Sequence, residues 1–354
     1  MGGTALVAGH DYRGYNRRIR DAFQAEGWRC GEVDTAFPAF DASLRGRLLY
    51  RALPERLGLR GPLRRAGARA RIDFVAQVLD RDWDLLLVIR PDLLGPEELA
   101  AIRRGRPGAV LACWLMDPIG RYPSCRTVLP LFDRVFLYDR GDLEEGRRIN
   151  PRTEVLLLAF DPADYAPPTT PAQPLWDLSF IGSPSPDRLR SLEQVCRAAD
   201  LPPERVRFVV GDWRFLPLLG RRLAARRSWL IRHEYLDFRT LDHPAIRQIY
   251  HRSVICLNAH QQGTLQGYNM RVFEVAGAGG GAQLVERLPG LGEQLQEEHE
   301  VVCYGDGDEL VEQARRLLAD HRRARELGAR AAIRAAGEHT YRHRVRTLLE
   351  ACGR

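Results

Sequence analysis

The sequence predicts an α/β fold of two Rossmann-like domains facing across a cleft, and three observations lead there. The chain has 354 residues, about twice the usual length of one domain. Short apolar runs of strand length alternate with helix-like stretches from end to end. A proline-rich break at Asp161–Pro174 divides that alternation into two halves.

In the first half the strand candidates are Thr4–Ala8, Arg29–Asp34, Trp83–Ile89, Val110–Met116, Arg134–Tyr138 and Glu154–Ala159. Helical stretches lie between them at Asn16–Glu26, in an Arg-rich region ending at Leu79, at Pro96–Arg104 and at Asp142–Arg148. Unbroken Val, Ile and Leu runs suit strands buried on both faces, hence a parallel sheet covered by helices. Pro162, Pro167, Pro168, Pro171 and Pro174 then interrupt any apolar period, as an interdomain linker would.

After the break, strands are expected at Asp177–Ile181, Arg205–Val210, Ser253–Asn258, Ala282–Val285 and Val301–Tyr304. Helices are expected at Asp187–Ala199, His243–His251, Asn269–Ala276, Asp308–Asp320 and Arg322–Ala336, with Asp306 or Asp308 as an N-cap. In Thr340–Cys352, Tyr341, Val345, Leu348, Leu349 and Cys352 share one helical face, which needs a surface to cover it. The expected organisation is therefore an N-terminal acceptor domain at 1–160, a linker at 161–175, a C-terminal donor domain at 176–338 and a helix crossing back at 339–354.

Composition narrows the class. No stretch approaches the roughly 18 apolar residues that span a bilayer, and the N-terminus runs straight into a strand without a signal-like segment. The seven cysteines are scattered without a C-x-x-C pair, and Cys113, Cys256 and Cys303 sit in apolar runs where a reduced thiol packs, which suits a cytoplasmic protein rather than a disulfide framework or zinc site. The net charge is +7 and every basic residue is arginine. Nine arginines crowd into Leu44–Arg71, and Arg221, Arg222, Arg226 and Arg227 form a second basic stretch. Such segments fit peripheral contact with an anionic inner-membrane face or a polyanionic acceptor, and equally fit solvated helix faces; no nucleic-acid partner is expected.

The sharpest constellation is Gln266–Ala282. A helix starting near Asn269 puts Val272, Phe273 and Ala276 towards the core, and Arg271 and Glu274 on another face towards solvent or a cleft. Asn269 can cap that helix, whose first N–H groups attract phosphate. Arg271 can pair with a diphosphate, and Glu274 can accept two hydrogen bonds from a ribose diol. The same spacing also fits an exposed ion pair. Gly277–Ala282 satisfies G-x-G-x-x-G/A, but with a helix before it and a strand after it, the reverse of a dinucleotide fingerprint.

From Trp176 onward the chain resembles the CgeB-like, spore-maturation-type glycosyltransferases, and through them glycosyltransferase family 4 in its nucleotide-binding half. The matching residues are Leu178–Ser183, Val254–Asn258, Gly267–Glu274 and His339–Arg344, with looser matches at Trp114–Pro118 and Phe160–Pro162. The resemblance implies a GT-B fold and a nucleoside diphosphate sugar as co-substrate, with no other cofactor. It puts Glu274 on the donor ribose, Gly182 and Ser183 in the first phosphate loop, Arg188 as a second phosphate ligand, and Tyr268, Asn269 and Arg271 at the donor. Gln266 stands where family 4 has a further glutamate, so its handling of the sugar ring does not carry over.

Inverting transferases of this fold place a histidine base in the loop after the first strand, which is His10 here, with Asp117 as its orienter, an acceptor ligand or a helix cap. No D-x-D metal motif is convincing: Asp80-Arg81-Asp82-Trp83-Asp84 precedes a strand instead of ending one. The expected activity is metal-independent sugar transfer to a hydroxyl on a glycan, a lipid-linked acceptor or an anionic polymer. The alternatives are a nucleotide-sugar epimerase and a nucleotide-sugar-binding protein without turnover.

Overall fold

Among the described residues, the Val-, Ile- and Leu-rich runs form two six-stranded sheets in which every strand pairing is parallel. The structure is a computed structural model and describes residues 2–34, 60–170, 172–211, 228–260 and 263–354. The chain divides into two units, Met1–Leu157 with Tyr341–Arg354, and Leu158–Thr340.

The first unit contains β1 (Thr4–Gly9), β2 (Arg29–Asp34), β3 (Leu85–Ile89), β4 (Val110–Leu115), β5 (Arg134–Leu137) and β6 (Thr153–Val155). Their spatial order is β2-β1-β3-β4-β5-β6. In register, Leu6 sits between Gly31 and Leu86, and Leu85 beside Val110. All of β3 is buried, as its uninterrupted apolar run requires. The chain steps outward to β2 and then returns past β1 to β3, so the direction of winding reverses between β1 and β3. In open parallel sheets the crevice for ligands lies at the carboxyl ends of the strands flanking that reversal.

The C-terminal helix Tyr341–Ala351 belongs to this unit. It buries Tyr341, Val345, Leu348 and Leu349, and leaves Cys352 half-buried. Tyr341 meets Trp114 edge-on, Arg344 Nε donates to Leu157 O at 2.9 Å, and Arg342 and Arg346 pair with Glu26.

The second unit contains β7 (Trp176–Ile181), β8 (Val206–Val209), β9 (Leu236–Asp237), β10 (Ser253–Asn258), β11 (Ala282–Glu286) and β12 (Val302–Tyr304). Their order is β12-β11-β10-β7-β8-β9, so winding reverses between β7 and β10. Leu178, Phe180, Ile255, Leu257 and Leu284 from the sheet pack on Leu192 and Val195 of the helix Pro186–Ala198, and on Leu310 and Leu317 of the helix Gly307–Ala319. Asp306 caps the latter by accepting from the Asp308 and Glu309 amides. Of the proline-rich segment, Tyr165 is buried with its hydroxyl 2.6 Å from His243 Nδ1; Phe160, just before the segment, bridges to Thr340.

The structure changes three details of the expected elements. The strand expected at Glu154–Ala159 stops at Val155. The two-residue β9 and the single turn Trp229–Arg232 were not foreseen. The glycine run after the helix Met270–Ala278 turns through left-handed Gly279 (φ 61°) into β11, the helix-then-strand order that disqualified it as a dinucleotide loop.

Candidate functional site

Around the reversal in the second unit, the loops leaving β7 and β10 converge. Gly182 N donates to Val209 O, and Ser185 caps the next helix by accepting from Arg188 N. Arg188 therefore sits in the first turn of that helix, where it is buried rather than solvent-facing. Its Nη1 donates to Ser183 O at 3.0 Å and its Nε to Ala259 O at 3.0 Å, strapping the two loops together.

Arg271 reaches the same place from the helix Met270–Ala278. Its Nη1 donates to Asn258 Oδ1 at 2.9 Å. Its Cζ lies 5.5 Å from the Phe180 ring centroid, and Arg188 Cζ lies 5.9 Å from the same ring. Two guanidinium groups thus converge at one aromatic ring on β7. A helix N-terminus beside two cations is an environment for an anion.

Asn269 occupies the N-cap position but makes no capping bond with its side chain, contrary to the expectation. The side chain is instead committed to Asn258, the fully buried last residue of β10. The two amides bond reciprocally, Asn258 Nδ2 to Asn269 Oδ1 at 3.1 Å and Asn269 Nδ2 to Asn258 Oδ1 at 3.0 Å. Of the two settings considered for the face shared by Arg271 and Glu274, open solvent is ruled out for Glu274: it is 6% exposed, because the helix is buried from Val272 to Ala278. Tyr268 is buried, its hydroxyl accepting from Leu288 N at 2.7 Å and donating to Leu288 O at 2.9 Å.

Sequence reasoning missed His260, Asn258, Glu286 and Tyr304 at this edge. His260 is 8% exposed, packs edge-on against Tyr268 with ring centroids 5.0 Å apart, and has its backbone N–H on Glu286 Oε2 at 2.9 Å. Its Nδ1 lies 3.3 Å from Asn269 Nδ2. Burial, then the charges of Arg271 and Arg188, push the His260 ring down to about 3, so it is neutral. Tyr304 stands beside Glu286 in the sheet register, and burial pushes its phenol up. An asparagine closing a strand and a histidine two residues later were the available signal.

In the first unit His10 follows β1 at the reversal between β1 and β3. Asn16 Nδ2 donates to Gly9 O at 3.0 Å, and Asp34 Oδ1, at the end of β2, accepts from Asp11 N at 2.9 Å. The same Asp34 oxygen lies 3.8 Å from His10 Nδ1, so the carboxylate beside His10 is Asp34. Asp117 pairs with Arg121 at 2.7 Å instead, and the amide of Ile119 is taken by buried Asp142 at 2.7 Å. Burial pushes the Asp117 carboxyl up, with Arg121 and Arg90 opposing. Arg90, left-handed at φ 64° just after β3, pairs both ways with Asp92 and stacks 4.1 Å from the Tyr122 ring.

Among the described residues, no group of three His, Cys, Asp or Glu side chains could hold a metal, and no helix is long and apolar enough to cross a membrane. Asp82 and Asp84 of the rejected D-x-D stretch serve Arg106 and the Thr4 amide. All seven cysteines are free. The Arg-rich segment 45–71 lies largely outside the described residues, as does the whole of the second basic stretch; within the first, Arg71 pairs with Glu98 at 3.0 Å.

Residues 193–350 match a family model described as glycosyl transferase-like. No curated protein sequence matches the chain. Among solved structures it is similar to a sucrose-phosphate synthase from Thermosynechococcus elongatus, at 14% identity and a TM-score of 0.67 over 99% of this chain and 98% of that one. It is similar to Anabaena HepE in complex with UDP and glucose, at 14% identity and a TM-score of 0.63 over 99% of both chains. A UDP-forming α,α-trehalose-phosphate synthase from Burkholderia xenovorans gives 14% identity and 0.62 over 99% of this chain and 98% of that one. The fold is thus of the GT-B type over the full length.

Proposed function

We propose that this chain is a glycosyltransferase that moves a sugar from a nucleoside diphosphate sugar to a hydroxyl acceptor. The observation that carries this reading is the convergence of Arg188 and Arg271 at the reversal between β7 and β10, inside the stretch with the glycosyl transferase-like match or immediately before it. Similar folds in complex with UDP and a sugar support it.

In this reading the diphosphate lies against the two guanidinium groups and the Gly182–Ser183 loop. As the bond from anomeric carbon to phosphate oxygen breaks, negative charge grows on the diphosphate. Fixed cations aimed there stabilise the transition state more than the ground state, the work a metal ion would otherwise supply. Asn258 holds Arg271 in place before substrate arrives. Asn269 holds Asn258 in turn, Tyr268 shapes the floor through its ring beside His260, and Glu274 accepts from the ribose diol. His10 takes the proton of the attacking hydroxyl, and Asp34 orients it in the role first considered for Asp117.

We further place the chain with the CgeB-like glycosyltransferases, related to family 4 in the donor half, on Gly267–Glu274 and His339–Arg344. The acceptor is a polyanion or a lipid-linked glycan reached in the cytoplasm at the inner membrane face, a reading supported by the arginine density of 45–71. The test is thermal shift against UDP, GDP, dTDP, CMP and ADP with their sugars. A donor at a hundred times its Kd stabilises by about 2.7 kcal/mol, and no shift with any of them contradicts the reading.

A further inference from the structure

In the candidate donor site His260 Nε2 and Tyr304 Oη are buried without a hydrogen-bond partner among the described residues. Both residues are more than nine-tenths buried, and Arg188 lies within electrostatic reach of both. Buried polar atoms are rarely left unmet, so a pair of them beside two guanidinium groups calls for a ligand atom.

The protonation of His260 follows from a chain of bonds that starts at Arg271. A guanidinium only donates, so the Asn258 atom it meets at 2.9 Å is the carbonyl oxygen. Asn258 must then present its NH2 group to Asn269, whose oxygen accepts it at 3.1 Å. That leaves the Asn269 NH2 group facing both Asn258 Oδ1 at 3.0 Å and His260 Nδ1 at 3.3 Å. Nδ1 is therefore an acceptor, and the neutral ring carries its proton on Nε2. The unmet atom is an N–H donor with a fixed direction.

We propose that His260 Nε2–H donates a hydrogen bond to a phosphate oxygen of the nucleoside diphosphate, with Asn258 and Asn269 as the positioning relay from Arg271. This rests on the donor-site reading above. A phosphate oxygen only accepts and carries negative charge, so it satisfies the N–H and both guanidinium groups together. A sugar hydroxyl would satisfy the N–H alone. A base role does not fit, since a proton gained by this ring would be buried within reach of the Arg271 and Arg188 charges. Glu286 holds the backbone of His260 by accepting from its N–H.

The test titrates the full chain and two variants, His260→Asn and His260→Gln, with UDP, GDP, ADP and dTDP by calorimetry. Asparagine keeps a polar atom at the level of Nδ1 for Asn269 and has none at the level of Nε2. Glutamine carries a donor to the Nε2 level. For the nucleotide the wild type binds, Asn should weaken binding roughly tenfold to a hundredfold, as for a lost hydrogen bond to a charged group. Gln should stay within about threefold of wild type. A long-range 1H–15N spectrum, with the His260 signals assigned by their loss in His260→Gln, should show that ring neutral and protonated on Nε2, with an Nε2 resonance that moves when the bound nucleotide is added. Equal affinity for wild type and His260→Asn, or a ring protonated on Nδ1, overturns the proposal. A wild type that binds none of the four nucleotides overturns the donor-site reading and the proposal with it.

Discussion

The guanidinium of Arg271 lies directly on the backbone of Gly182. A Cβ at residue 182 would run into Arg271 Nη2 and come within 3.0 Å of Cζ. The glycine closing β7 therefore sets where the cation from the helix Met270–Ala278 can sit, and Asn258 holds it there by a 2.9 Å hydrogen bond.

Gly182→Ala should separate binding from stability. The methyl meets the far end of a flexible side chain and comes within 3.2 Å of Phe180 Cζ, so Arg271 swings away at a stability cost of about 1 kcal/mol. Nucleoside diphosphate affinity should fall about tenfold or more with the displaced cation. Calorimetry and a urea melt on the same variant read both.

His10→Ala should leave donor affinity unchanged and reduce transfer by roughly a hundredfold to ten-thousandfold, the usual contribution of general base catalysis. Asp34→Asn should reduce transfer less, and Asp117→Asn least, because Asp34 stands 3.8 Å from His10 while Asp117 is paired with Arg121. Transfer rates at saturating donor order the three.

Acid should destabilise the fold through His260. Its folded value of about 3 lies below the unfolded value of 6.5. The unfolded chain thus binds a proton first, and stability present above pH 6.5 is lost as pH falls towards 3, by at most about 1.4 kcal/mol per pH unit. His260→Gln should flatten that dependence in urea melts between pH 4 and 7. Parallel curves for wild type and variant would count against the buried neutral ring.

Removing the C-terminal helix should unfold the first unit. Tyr341, Val345, Leu348 and Leu349 are all buried, and each buried side chain of this size contributes roughly 1.5–3 kcal/mol. Their sum rivals the whole stability of a domain, about 5–15 kcal/mol. A chain truncated after Thr340 should lose protection of the first unit in limited proteolysis while the second unit survives.

Much of this was legible in the sequence because apolar runs report burial directly. Arg29–Asp34, Ser253–Asn258 and His243–His251 form with the predicted bounds, and the terminal helix buries four of the five residues on its predicted face. β9 was not legible, since two residues carry no period. The three-residue spacing of Glu274 to Arg271 fits solvent or a cleft alike, and spacing cannot report that this turn is buried. His260 is a lone loop histidine in the sequence. Only the return of the chain from β10 to Asn269 brings it to Arg188 and Arg271.

In the proposed function Arg188 and Arg271 bind the diphosphate of a sugar donor. Its most direct test is calorimetric titration of wild type and Arg271→Ala with UDP and, if UDP is silent, with GDP, dTDP and ADP. Wild type should bind one of these, and the variant should bind it at least about thirtyfold more weakly, as for a lost bond between charged groups. Equal affinity in the two proteins, or no binding by wild type to any of the four, would contradict it.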